Sequence, residues 1–112
     1  MEREVFITKI ASYFPNSPVE NDEMEDFLGL IGGKPSRVRN IILRQNGIKR
    51  RYYALNKKQE ITHTNAEMAG LAIKKMLPRD ELRTVEVLSC GTSSPDQYLP
   101  SHASMVNGET FE

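Results

Sequence analysis

The sequence predicts an α/β fold, and three observations carry that expectation. Runs rich in β-branched and aromatic residues, such as Val5-Phe6-Ile7-Thr8-Lys9-Ile10, alternate with segments whose apolar residues recur at helical spacing. Glycine and proline fall between these segments and punctuate them. The length of 112 residues fits a single small domain spanning 1–112.

The elements follow in order. Val5 to Ile10 reads as a strand, ended by the loop around Pro15 and Pro18. Asn21 can cap a helix with Asp22 and Glu23 in its first turn, where acidic groups complement the dipole. Met24, Phe27, Leu28 and Ile31 give that helix its apolar face, and Gly32-Gly33-Lys34-Pro35 breaks it. Ser36 can cap the next helix, whose expected face is Val38, Ile41, Ile42 and Gln45. Asn46-Gly47 stops it, because both residues tolerate a left-handed backbone. Ile48 to Leu55 reads as a second strand, and Asn56 to Glu60 as a polar turn.

Thr64-Asn65-Ala66-Glu67 matches a capping box. Behind it, Ala66, Ala69, Gly70, Ile73, Met76 and Leu77 form one stripe, small in its first turns, so that another element can approach closely. Pro78 ends this helix. Val85 to Ser89 is a short apolar run that suits a strand covered on both faces. Pro100 suits the first turn of a last helix carrying Ala103, Met105 and Val106 and fading at Asn107-Gly108. The order is strand, helix, helix, strand, helix, strand, helix. A strand-loop-helix unit is opened at the end with nothing after it to cover it, so the domain is expected to be incomplete.

Composition excludes several classes of function. Lys plus Arg and Asp plus Glu are 15 each, so zero net charge gives no long-range attraction to nucleic acid or to an anionic membrane. The basic and aromatic residues of Lys49-Arg50-Arg51-Tyr52-Tyr53 interleave as in single-strand binders, but no second basic stripe supports them. One cysteine, Cys90, allows no internal disulfide, and no apolar stretch approaches the length of a membrane span. The charged start, Met1-Glu2-Arg3-Glu4, lacks the apolar stretch of a signal peptide, so a cytoplasmic location is expected. His63 and His102 sit in no zinc spacing, no phosphate-binding loop is present, and no metal or cofactor is expected.

Three stretches in order resemble one known family. "NGIKRRYYAL", "THTNAEMAGLAIKKML" and "VEVLSCGTSSPDQYLPSHASM" are similar to consecutive landmarks of the ketoacyl-acyl carrier protein synthase III family. The first is similar to its Gly-Ile-(x)-x-Arg element, here Gly47, Ile48 and Arg51. The second resembles its first long buried helix. The third resembles the strand and loop ending in Pro-Ser-x-Ala, here Pro100, Ser101 and Ala103. The opening "EVFITKIASYFP" also fits the family's start, and the wording is closest to the branch that makes aryl polyenes and dialkylresorcinols.

The resemblance implies the N-terminal half of a thiolase-like α/β fold, a mixed sheet with buried helices. The full enzyme would be an acyltransferase condensing acyl thioesters in fatty acid or polyketide-type biosynthesis, and would form a homodimer. In the family, a cysteine at the start of a buried helix is acylated, and a histidine and an asparagine stabilise the enolate. All three would fall beyond position 112. Cys90 lies before the Pro-Ser helix and does not match the nucleophile, and His102 matches no family histidine, so no catalytic residue is expected in this chain.

Two sets of residues carry expectations of binding. Leu99, just before Pro100-Ser101, matches the family's interface position that reaches into the partner subunit's acyl pocket, with Tyr98 beside it. Arg37, Arg39 and Arg44 are candidates to meet an acidic acyl carrier protein or a pantetheine phosphate. Many coenzyme A users of the family stack an aromatic residue on adenine from this helix. Here it reads "SRVRNIILRQ", without an aromatic, which favours acyl carrier protein over acyl-CoA as the bearer of the substrate. A second class of function fits the same residues: a non-catalytic thiolase-fold subunit or interaction module that completes a partner chain.

Overall fold

A computed structural model describes residues 1–111 and shows a mixed α/β chain. Its contacts divide it into two units: Phe14–Thr64, and Met1–Tyr13 with Asn65–Glu112.

In the Phe14–Thr64 unit, β1 (Val19–Glu20) pairs antiparallel with β2 (Arg50–Arg51), Val19 opposite Arg51 and Glu20 opposite Arg50. The expected strand from Ile48 to Leu55 is thus reduced to two laddered residues and an isolated Leu55–Ile61 bridge. That bridge closes the expected turn from Asn56 to Glu60. Asn56 Oδ1 accepts the amides of Lys58 and Glu60, at 2.9 and 3.0 Å, so one side chain does the work of the turn's backbone.

α1 (Met24–Leu28) is shorter than expected. It ends at Gly29, whose φ of +81° suits glycine, and whose Cβ, if it had one, would lie 2.3 Å from Gln59 Nε2. Ile31 therefore falls outside the helix, bridged to Lys34 across Gly32-Gly33. Both glycines have positive φ, as a two-residue primed turn requires. Asn21 does not cap α1: the N-cap is Glu23, and Asn21 Nδ2 donates instead to the Ile48 carbonyl at 2.9 Å.

α2 (Arg39–Asn46) ends as expected, with Gly47 in the left-handed region. Its buried residue is Leu43, whereas Val38, Ile41 and Ile42 are about half exposed, at 53, 59 and 53 %. The apolar residues span more of the helix than its neighbours cover. Leu43 and Val19 are the buried aliphatic side chains of this unit, and Phe14 stacks on Tyr52 with ring centroids 4.7 Å apart.

In the other unit, α3 (Asn65–Met76) packs on α5 (His102–Phe111), with the short α4 (Arg79–Leu82) following Pro78. The seam is built from small residues one turn apart on each helix. Ala66 and Gly70 are buried on α3, Val106 and Thr110 on α5. A Cβ on Gly70 would lie 3.0 Å from Glu109 Cβ and 3.3 Å from Thr110 Oγ1, so glycine permits this approach. α5 runs through Asn107-Gly108 to Phe111, because burial of Val106 and Thr110 outweighs the weak propensity of those two residues.

The N-terminus of α3 is held from a distance. Asp96 accepts the Asn65 amide on Oδ1 at 2.8 Å and the Ala66 amide on Oδ2 at 3.0 Å. A carboxylate there satisfies two amides without helical partners and meets the positive end of the dipole. Asp96→Ala is expected to cost about 1–2 kcal/mol, read as a lower urea midpoint with an unchanged slope. A midpoint equal to that of the parent chain would show that water replaces the carboxylate at no cost.

The other two expected strands are unpaired. Among the described residues, neither Val5–Ile10 nor Val85–Ser89 joins a ladder. Two contacts hold the N-terminal segment: Lys9 pairs with Glu81, and Lys75 Nζ donates to the Ser12 carbonyl at 3.1 Å. Strand propensity needs a neighbouring strand before it becomes a strand. The expected mixed sheet with buried helices is therefore seen here only as a two-stranded antiparallel pair, with one or two buried residues on each of α2 to α5 and none on α1.

Candidate functional site

The arginines and Leu99 belong to different units and are described separately. Arg39 opens α2, and its Nη1 lies 2.9 Å from Glu25 Oε2. Glu25 Oε1 accepts the Ser36 amide at 2.8 Å, so one carboxylate joins α1 to the entry of α2. Arg39 is thus part of the packing of this unit. Arg37 and Arg44 are exposed and have no ion-pair partner among the described residues. Arg39 and Arg44 are five residues apart, which sets them well over a quarter-turn from each other around the helix. The structure does not gather the three guanidinium groups into one anion cradle. Arg37 and Arg44 remain available to an acidic surface.

Leu99 and Tyr98 lie in the loop before α5, 85 and 93 % exposed. A leucine and a tyrosine so placed are free to enter a partner's surface. After them, Ser101 Oγ accepts the Ser104 amide at 3.3 Å, and the Ser101 carbonyl accepts the Met105 amide at 3.1 Å. Ser101 therefore serves as the cap of α5, one residue after Pro100.

Cys90 is partly buried in the stretch between α4 and α5. It sits at no helix N-terminus and makes no hydrogen bond among the described residues. His102 begins α5, and its Nδ1 is buried without a hydrogen-bond partner. Among the described residues no group of three His, Cys, Asp or Glu side chains is placed to hold a metal. No described helix is long and apolar enough to cross a membrane.

Much apolar surface is left uncovered in the unit that holds α3 and α5. Val5, Phe6, Ile7 and Ile10 are 92, 72, 85 and 86 % exposed, and Val87 is 82 % exposed. Two apolar segments that read as strands in the sequence stand unpaired in the same unit. No family model matches the chain.

Proposed function

We propose that this chain is the N-terminal part of a ketoacyl synthase III-like condensing enzyme with a thiolase-like fold. It supplies strands and part of a subunit interface and leaves the nucleophile to residues beyond it. The observation that carries this reading is the pair of unladdered apolar segments, Val5–Ile10 and Val85–Ser89, whose sequences match the positions of strands in that family. A parallel or mixed sheet covered by helices on both faces needs strands of this two-sided apolar kind. In the proposed parent, an acyl group passes from a carrier thioester to a cysteine thiolate, and the carrier leaves as its thiol. A second acyl thioester, activated as its enolate by loss of carbon dioxide or of a proton, then attacks the acyl carbonyl; the carbon-carbon bond forms as the acyl-cysteine C–S bond breaks and the cysteine thiolate leaves. Arg37 and Arg44 would face the acidic carrier protein, and Leu99 the acyl pocket of the partner subunit. No cofactor is required, and the setting is cytoplasmic.

Native and intact mass spectrometry of the purified chain, incubated with an acyl-pantetheine thioester, tests this. The expected result is self-association through the open apolar edges with no acyl adduct, and Cys90→Ala leaves both readouts unchanged. A stoichiometric adduct mapped to Cys90 would mean that the chain carries its own nucleophile. A stable monomer at micromolar concentration would remove the case for uncovered strands. Absence of an adduct together with tight capture of one defined second polypeptide would favour the non-catalytic subunit.

A further inference from the structure

A cavity of about 520 Å³ lies in the α3–α5 unit, where the C-terminal end of α3, the α4 turn and the last described residues of α5 converge. Its apolar lining includes Leu77, Leu82 and Phe111, of which Leu82 is buried. Among the described residues its charged lining is cationic: Lys74, Arg79 and Arg83. Among the described residues none of the three side chains has an ion-pair or hydrogen-bond partner. The carboxylate of Glu81, on the same short helix, is already held by Lys9. Small-molecule sites have this volume, and here apolar and polar residues line the space in equal number. Cations gathered without partners around an apolar pocket repel one another, and an anion with an apolar tail would relieve that repulsion while covering the leucines and the phenylalanine.

We propose that this cavity binds an amphipathic anion, a short aliphatic chain bearing a carboxylate or phosphate head. The tail lies against Leu77, Leu82 and Phe111, and the head meets Arg79 and Arg83.

Octanoate, octyl phosphate and octanol are the probes, titrated into the purified chain by calorimetry and by amide NMR. Saturable binding of octanoate or octyl phosphate, with shifts centred on Leu77 and Leu82, is expected, and the tighter of the two identifies the head group. The Arg79→Gln/Arg83→Gln double variant should weaken that binding at least about tenfold, since each loses a charge-assisted contact. Both arginines are exposed, so circular dichroism should be unchanged and loss of fold will not confuse the result. No saturable binding of either anion, binding of octanol as tight as that of the anions, or undiminished binding by the double variant would each overturn the proposal.

Discussion

Val106→Asp is expected to abolish cooperative unfolding of the α3–α5 unit. Val106 is the largest side chain with no exposed surface, 0 %, and lies on the face of α5 that packs against α3. A carboxylate there would lose its water without gaining a cation. The seam's buried polar group, the Thr110 hydroxyl, already donates to the Val106 carbonyl at 2.7 Å. Leaving a charge buried and uncompensated costs on the order of 3–5 kcal/mol. That is comparable to the whole stability of a marginal small domain, for which about 5 kcal/mol is the low end. Val106→Ala removes only apolar contact and should cost about 1.5–3 kcal/mol. The pair separates charge burial from lost packing: the alanine variant should melt cooperatively at lower temperature, and the aspartate variant should show no transition. Equal melting temperatures for both variants and the parent chain would mean that this seam is not where the unit stores its stability.

The same seam was legible in the sequence, and the reasons show where such reading fails. Small residues at Ala66, Ala69 and Gly70 announce a close approach, because a helix without large side chains on one face can be reached by another backbone. Asn46-Gly47 and the turn from Asn56 to Glu60 were equally legible, since the chemistry that makes them lies within a few residues. Partners far along the chain were not. Asp96 caps a helix that starts 31 residues before it, and only the fold brings the two together. Glu25 pairs with Arg39 from 14 residues away. Val5–Ile10 and Val85–Ser89 are rich in strand-forming residues yet form no ladder, because propensity does not supply the neighbour that a strand requires. The cationic cavity was invisible for the same reason, as Lys74 and Phe111 come together only through the packing of α3 and α5.

Ile7→Lys is expected to convert the self-associated chain to monomer without unfolding it. Alternate residues of an extended segment point to opposite faces. Val5, Ile7 and Lys9 then share one face of Val5–Ile10, and Phe6, Thr8 and Ile10 the other, so each face carries two apolar residues, and Lys9 is already paired with Glu81. A strand built this way is suited to a sheet covered on both sides and is a liability when left bare. Ile7 is 85 % exposed and gives little to the α3–α5 packing, so a surface substitution there should change stability by no more than about 0.5 kcal/mol. A lysine on the edge, by contrast, would place a charge in any sheet that forms there, and desolvating it would cost far more than the isoleucine contributes by burial. Native mass and urea denaturation therefore separate two properties that a structural core residue would link: assembly should be lost and the unfolding midpoint kept. If Ile7→Lys lowers the midpoint as Val106→Ala does, the segment belongs to the unit's own core. If it leaves assembly intact, the uncovered strand is not what holds the copies together, and the proposal of a larger shared sheet loses its main support.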